Sequence, residues 1–216
     1  MKQHHFLAAL TLAAIGAAIL SVAPANAQSP KGWMTRSDHS MNASDPDAAG
    51  ANKFTATSTG FHAVNPMAAV YWNPANTAGG SYMLKGKFSL VKSNGFNEYY
   101  GLIFGGAGLD GADQSYIYFM ISDDGTYLIK RRTGSSTQGV SQKTSNDAVK
   151  KPDASGKCTN DLEVRVKADK IDFVVNGTVV TSMPKTGAAA KTDGIYGIRI
   201  NHQLDVLIDG FGVSKM

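Results

Sequence analysis

One cysteine, Cys158, in 216 residues excludes a disulfide within the chain, so the fold must be held by its core and not by crosslinks. Lying between Gly156-Lys157 and Thr159-Asn160, Cys158 reads either as a small buried apolar residue or as a loop thiol. A catalytic thiol needs an imidazole base, and beyond residue 27 only His39, His62 and His202 remain to supply one. Glutamate is almost missing, with Glu98 and Glu163 the sole examples. Glycosidic hydrolysis normally takes two carboxylates flanking the bond, and most of the aspartates here fall in turn-like segments. There is no block of five or six basic residues; the densest spot, Lys130-Arg131-Arg132, is too short for a basic tract, and a nucleic-acid groove finds no support. After residue 22 no stretch is long and apolar enough to span a bilayer. No window carries a sustained helical period either.

The N-terminus has a definite layout. Lys2 precedes an uncharged apolar run over 6–22, Pro24 breaks it, and Ala25-Asn26-Ala27 supplies a small-x-small cleavage pattern. This predicts a secretory signal peptide over 1–27, cut before Gln28. A membrane anchor is the competing reading, but the run is at the short edge for a span and Pro24 follows at once. No cysteine near the cut offers a lipid attachment point. The expected location is therefore periplasmic or secreted, with a soluble mature chain. Removing 1–27 takes away Lys2 and no acid, so the formal charge falls from +4 to +3. What remains is the length of one ordinary domain.

Residues 28–52 are rich in Ser, Asp, Asn, Ala and Gly, which predicts an irregular lead-in pinned at Trp33. From 53 to 216 short apolar segments follow one another between Gly, Asn and Pro. Over 82–91, Tyr82, Leu84, Phe88 and Leu90 share one parity against Lys85, Lys87 and Ser89, the mark of a strand with one face in a core. Over 115–121 both parities are apolar or aromatic, as for a central strand covered on both sides. Asp123-Asp124-Gly125 reads as a tight turn. Asn176-Gly177 reads as a two-residue hairpin turn, since both central positions of a type I′ turn need positive φ. Residues 133–160 are polar, with one short strand expected near Val140. The pattern predicts an all-β fold, a two-sheet antiparallel jelly-roll sandwich over 53–216.

Three stretches carry a resemblance. The alternating strand pair Leu162 to Val175 ending in Asn176-Gly177, the segment Tyr99-Tyr100-Gly101-Leu102-Ile103-Phe104 with Tyr116 to Phe119 after it, and the close Asp193 to His202 with Leu204 to Phe211 are similar to strands of concanavalin A-like sandwiches. Over roughly 68–213 the chain resembles bacterial exported domains classed with family 16-like glycoside hydrolases and 3-keto-disaccharide hydrolases. The resemblance implies a jelly roll on which a saccharide lies across a concave sheet, and transfers no activity by itself. The Glu-x-Asp-x-x-Glu motif of family 16 enzymes is missing.

Candidate chemistry follows from these placements. Trp72, Tyr99, Tyr100 and Arg131, with Asn201 and His202 at the edge, are the candidate saccharide-binding residues. Adjacent Tyr99 and Tyr100 must face opposite ways in a strand, as must Arg131 and Arg132. His202 and Asp205 could meet across a short turn as an acid/base pair, and Glu98 at a loop-to-strand junction is a further catalytic candidate. Asp110 and Asp113 in a Gly-rich loop could give oxygens to calcium, although the loop lacks the EF-hand pattern. No other cofactor is expected. The leading expectation is a glycan-binding module; the alternatives are a glycoside or 3-keto-glycoside hydrolase and an envelope domain that meets another protein.

Overall fold

The computed structural model describes residues 29–40, 43, 45–92 and 95–216, and the expected signal peptide over 1–27 lies outside them. The chain runs through β1 (Met34–Asp38), β2 (Lys53–Ala56), β3 (Gly60–Asn65), β4 (Ala68–Ala78), β5 (Tyr82–Lys92), β6 (Tyr99–Ala107) and β7 (Ser115–Ser122). It continues through β8 (Thr126–Thr133), β9 (Ser136–Ser145), β10 (Cys158–Val166), β11 (Lys170–Val175), β12 (Thr178–Pro184), a single 3-10 turn at Gly187–Ala189, β13 (Gly194–Ile200) and β14 (Leu204–Lys215). The strands form two seven-stranded sheets, β1-β4-β13-β6-β7-β8-β9 and β12-β11-β10-β5-β14-β3-β2. Every pairing is antiparallel. This is the two-sheet jelly-roll sandwich that the alternation predicts.

The period-two pattern decides what meets between the sheets. Tyr71, Tyr100, Leu102, Phe119 and Ile198 of the first sheet and Leu84, Phe88, Val164, Phe173 and Val206 of the second share one core, each with 1% or less of its surface exposed. Phe119 and Phe173 meet edge-on across it, their ring centroids 5.1 Å apart at 64°. Tyr71 reaches through the same core to give its hydroxyl hydrogen to Asn65 Oδ1 at 2.6 Å, while the Asn65 amide donates to the carbonyls of Ile200 and Met67. A buried polar group is tolerable only when paired in this way.

The other face of the first sheet is apolar as well. Val70, Trp72, Ile103, Tyr116, Tyr118, Met120 and Leu128 form a second buried cluster there. The dual-sided character of 115–121 thus comes from a strand in the middle of the sheet, between β6 and β8.

Two parts of the chain are more ordered than their composition suggests. The lead-in contributes β1, an edge strand paired to β4 from Met34 opposite Trp72 to Asp38 opposite Ala68. The polar segment near Val140 is the ten-residue strand β9, which closes the same sheet at its other edge. Both of its faces are largely in water, which is why the segment is polar throughout. At Asn176-Gly177 both φ values are positive, 50° and 81°, as the type I′ reading requires. Gly105 sits at the bulge between Phe104 and Ala107 with φ 61°, and a Cβ there would lie 2.5 Å from the Lys191 carbonyl oxygen. Only glycine lets β6 pass that close to the 187–191 segment.

Candidate functional site

The candidate residues from the sequence do not share one surface. Tyr100 points into the core with none of its surface exposed, and burial raises its hydroxyl pKa well above the ordinary value. Trp72 lies on the opposite face of the sheet, inside the second cluster, 2% exposed. Neither ring presents a face to solvent. Tyr99 is half-buried on the Trp72 side, its hydroxyl 2.8 Å from Thr126 Oγ1 with the Lys143 ammonium 5.9 Å from its ring centroid. Arg131 points to the core side of β8 and donates to Ser115 Oγ at 2.7 Å and to the Lys191 carbonyl at 3.2 Å. The parity rule separates it from Arg132, and Arg132 is the guanidinium on the Trp72 side, opposite Tyr116 in register.

The paired group expected of His202 and Asp205 does not form. Asp205 is on the outward parity of β14 and meets His62 of β3, Nε2 to Oδ1 2.7 Å. His202, in the turn between β13 and β14, points the other way, toward the lead-in. Its Nε2 lies 2.9 Å from Asp45 Oδ1 and 3.2 Å from Glu98 Oε1, and its Nδ1 lies 3.4 Å from Asp47 Oδ1. Asn201 donates from Nδ2 to Glu98 Oε2 at 2.7 Å. Three of the residues singled out from the sequence, Glu98, Asn201 and His202, are therefore brought together, and Asp205 is not. Glu98 is no surface carboxylate: it is 7% exposed and its pKa is raised, first by burial and then by Asp45, against lowering by the Asn201 amide and His202. Asp45 and Asp47 carry no signal of their own in the sequence, since an Asp-Pro-Asp stretch reads as a turn and His202 is 157 residues from Asp45.

Beside this group lies an arrangement that the sequence hides completely. Asp38, the last residue of β1, accepts from Arg199 Nη1 at 2.7 Å, with Arg36 and Arg132 at 3.8 and 3.9 Å. Arg199 also donates to the Tyr116 hydroxyl at 3.0 Å, and its guanidinium carbon lies 5.6 Å from the Tyr118 ring centroid. Burial acts to lower the Arg199 pKa, but Tyr116 and Asp38 more than reverse that, and the net direction is upward. A lone arginine between Ile198 and Ile200 is the one trace of it in the sequence.

The two groups share a cavity of about 540 Å³. Asp38, His39, Arg132, Arg199, Asn201 and His202 line it, with serines 37, 40 and 135 and Ala68. Asp110 and Asp113 are elsewhere, in the 108–114 loop, where the Asp113 carboxylate packs on Gly108 and Gly111. Among the described residues, the His, Asp and Glu side chains that stand in mutual ligand spacing are Asp45, Glu98 and His202, whose donor atoms all lie within 4.8 Å of one another.

Comparison with solved structures decides the fold class independently of the pattern. The chain superimposes on the carbohydrate-binding module CBM66 from Bacillus subtilis with a TM-score of 0.60, covering 85% of this chain and 96% of that one at 10% identity. The shared fold is the two-sheet jelly-roll sandwich. A Bacillus subtilis protein of unknown function with a galectin-like fold gives 0.58 at 14% identity, over 86% and 90% of the two chains. A Parabacteroides distasonis protein described as a putative glycosyl hydrolase gives 0.50 at 16% identity, over 76% and 90%. No family model matches the sequence, and no curated protein matches it. At these identities the shared property is the fold.

Proposed function

We propose that this protein is an exported glycan-binding module that takes a saccharide in the cavity between Asp38, Arg132, Arg199 and His202. The observation that carries the reading is that cavity: its volume is that of a small-ligand site, and charged and hydrogen-bonding side chains converge on it. A guanidinium with a planar fork, imidazoles, an amide and hydroxyls are the groups that pair with the vicinal hydroxyls of a sugar. The jelly roll it shares with a carbohydrate-binding module supports the same reading. Recognition here rests on polar groups at the rim, because the aromatic rings below are enclosed by their own neighbours.

The cavity is tested with Arg132→Ala and His39→Ala, both residues at its mouth, by isothermal calorimetry against a panel of oligosaccharides and by retention on polysaccharide gels. Loss of one charged hydrogen bond, worth about 1.5–3 kcal/mol, predicts binding at least about tenfold weaker than wild type. Undiminished retention in the double variant, with an unchanged melting temperature, overturns this cavity as the binding site. Export belongs to the same proposal and rests on the Ala25-Asn26-Ala27 pattern. Protein recovered from the envelope or medium of producing cells should begin at Gln28; a chain that keeps Met1 and stays in the cytoplasm refutes it.

A further inference from the structure

We propose that Asp45, Glu98 and His202 form a divalent metal site, with Asp47 and Asn201 orienting its ligands. This goes beyond saccharide binding and stands whether or not the cavity takes a sugar.

The first observation is the crowding around one imidazole. Nε2 of His202 faces two carboxylate oxygens at once, Asp45 Oδ1 at 2.9 Å and Glu98 Oε1 at 3.2 Å. A ring nitrogen carries one proton at most, so it serves both oxygens poorly. The side chains of His202 and Glu98 are 8% and 9% exposed, which leaves little water to screen the Glu98 carboxylate and the ring, while Asp45 reaches them from the solvent side at 30% exposure. A cation bound to Nε2, Asp45 Oδ1 and Glu98 Oε1 removes the conflict, and the three atoms already stand within the 4.8 Å that a common ion spans.

The second observation is independent of charge. Two oxygens of the same group, Asp47 Oδ1 and Asn201 Oδ1, are shut off from solvent and accept no hydrogen bond from the described residues. Buried acceptors left in that state are costly, and each needs an explanation. With Nε2 on a metal, the ring proton must sit on Nδ1, the nitrogen 3.4 Å from Asp47 Oδ1. That faces an N–H toward Asp47 Oδ1, where a small turn of the ring would complete the carboxylate–imidazole–metal relay that fixes a ligand's tautomer and tilt. Asn201 Nδ2 holds Glu98 Oε2, while Glu98 Oε1 faces the imidazole. Carboxylate oxygens with one imidazole nitrogen suit a divalent ion of borderline or hard character. Such an ion ties the 45–47 segment to the start of β6 and the end of β13, at the rim of the cavity.

The test uses the purified protein, assayed for bound metal by elemental mass spectrometry as isolated. It is then stripped with chelator and titrated calorimetrically with Mn²⁺, Zn²⁺ and Ca²⁺ in turn. One equivalent of one of these ions is expected to bind, and at a hundredfold excess over its Kd to raise the melting temperature by roughly 5–10 °C. Asp45→Asn, on the half-exposed loop, should abolish or weaken binding at least tenfold without unfolding the chain. Asp47→Asn should weaken it about 10–100-fold. His202→Gln should remove the imidazole signature from the absorption spectrum of the Co²⁺ form. Asp205→Asn serves as the control and should change nothing. Failure to bind any of the three ions, or binding unaltered in both Asp45→Asn and Glu98→Gln, overturns the proposal. Metal binding without saccharide binding would leave it standing while refuting the function above.

Discussion

Asp38→Asn is expected to destabilise the protein by about 3–5 kcal/mol, because it leaves the buried Arg199 guanidinium without its countercharge. Arg199 is only 9% exposed, and Asp38 is the one carboxylate within 4 Å of it among the described residues. The remaining contacts, the Tyr116 hydroxyl and the Tyr118 ring, are neutral. Arg36 and Arg132, held near Asp38 at present, would face Arg199 as like charges. For a domain of this size the loss corresponds to a fall in melting temperature of roughly 6–20 °C. The double variant Asp38→Asn/Arg199→Met removes both charges, puts a side chain of similar length over Tyr118, and should regain most of the stability. Urea denaturation of the wild type and these two variants settles it. A single-variant loss below about 0.5 kcal/mol would mean that water already solvates the guanidinium. Any saccharide bound in the cavity should be lost in Asp38→Asn even at temperatures where the variant is folded, since Asp38 lines it.

Phe119→Ala carries the second large effect, a loss of about 3–5 kcal/mol. Phe119 is completely buried in β7, and beside Phe173 of β11 it joins the two sheets rather than two strands of one. Phe173→Ala should cost a similar amount. Because the rings pack edge to face at 5.1 Å, the double variant should fall short of the sum of the two by about 0.5–1.5 kcal/mol. Strict additivity in that cycle would show that the sheets do not meet through these rings, and the sandwich packing would have to be revised.

Much of the fold was legible because β structure writes its register into alternate residues. Tyr82, Leu84, Phe88 and Leu90 point inward and Lys85, Lys87 and Ser89 outward as their parity requires. The turns at Asn176-Gly177 and Gly125 announce themselves through residues that accept positive φ. Edges were harder to read. β1 and β9 are polar strands held by one neighbour each, so neither builds an apolar row strong enough to stand out from a loop. The 115–121 strand signalled burial on both faces without saying which side is the core, and for Tyr99 and Tyr100 the same rule fixed opposition but not direction.

The site was legible only in fragments. Glu98, Asn201 and His202 stand out as rare or polar residues at strand ends, and they converge. Their partners could not be named, because hydrogen bonds from His202 to Asp45 and from Arg199 to Asp38 join positions 157 and 161 apart. The alternation of the strands, the glycine turns and the composition of the core are written locally, since they depend on neighbours two to four residues away. That Asp38 neutralises Arg199, that Arg132 and not Arg131 shares their face, and that Asp45 and Asp47 close around His202 emerges from the packing of the folded chain. Those contacts exist because antiparallel pairing lays β1 beside β4, and β4 beside β13, at distances along the chain that no local pattern records.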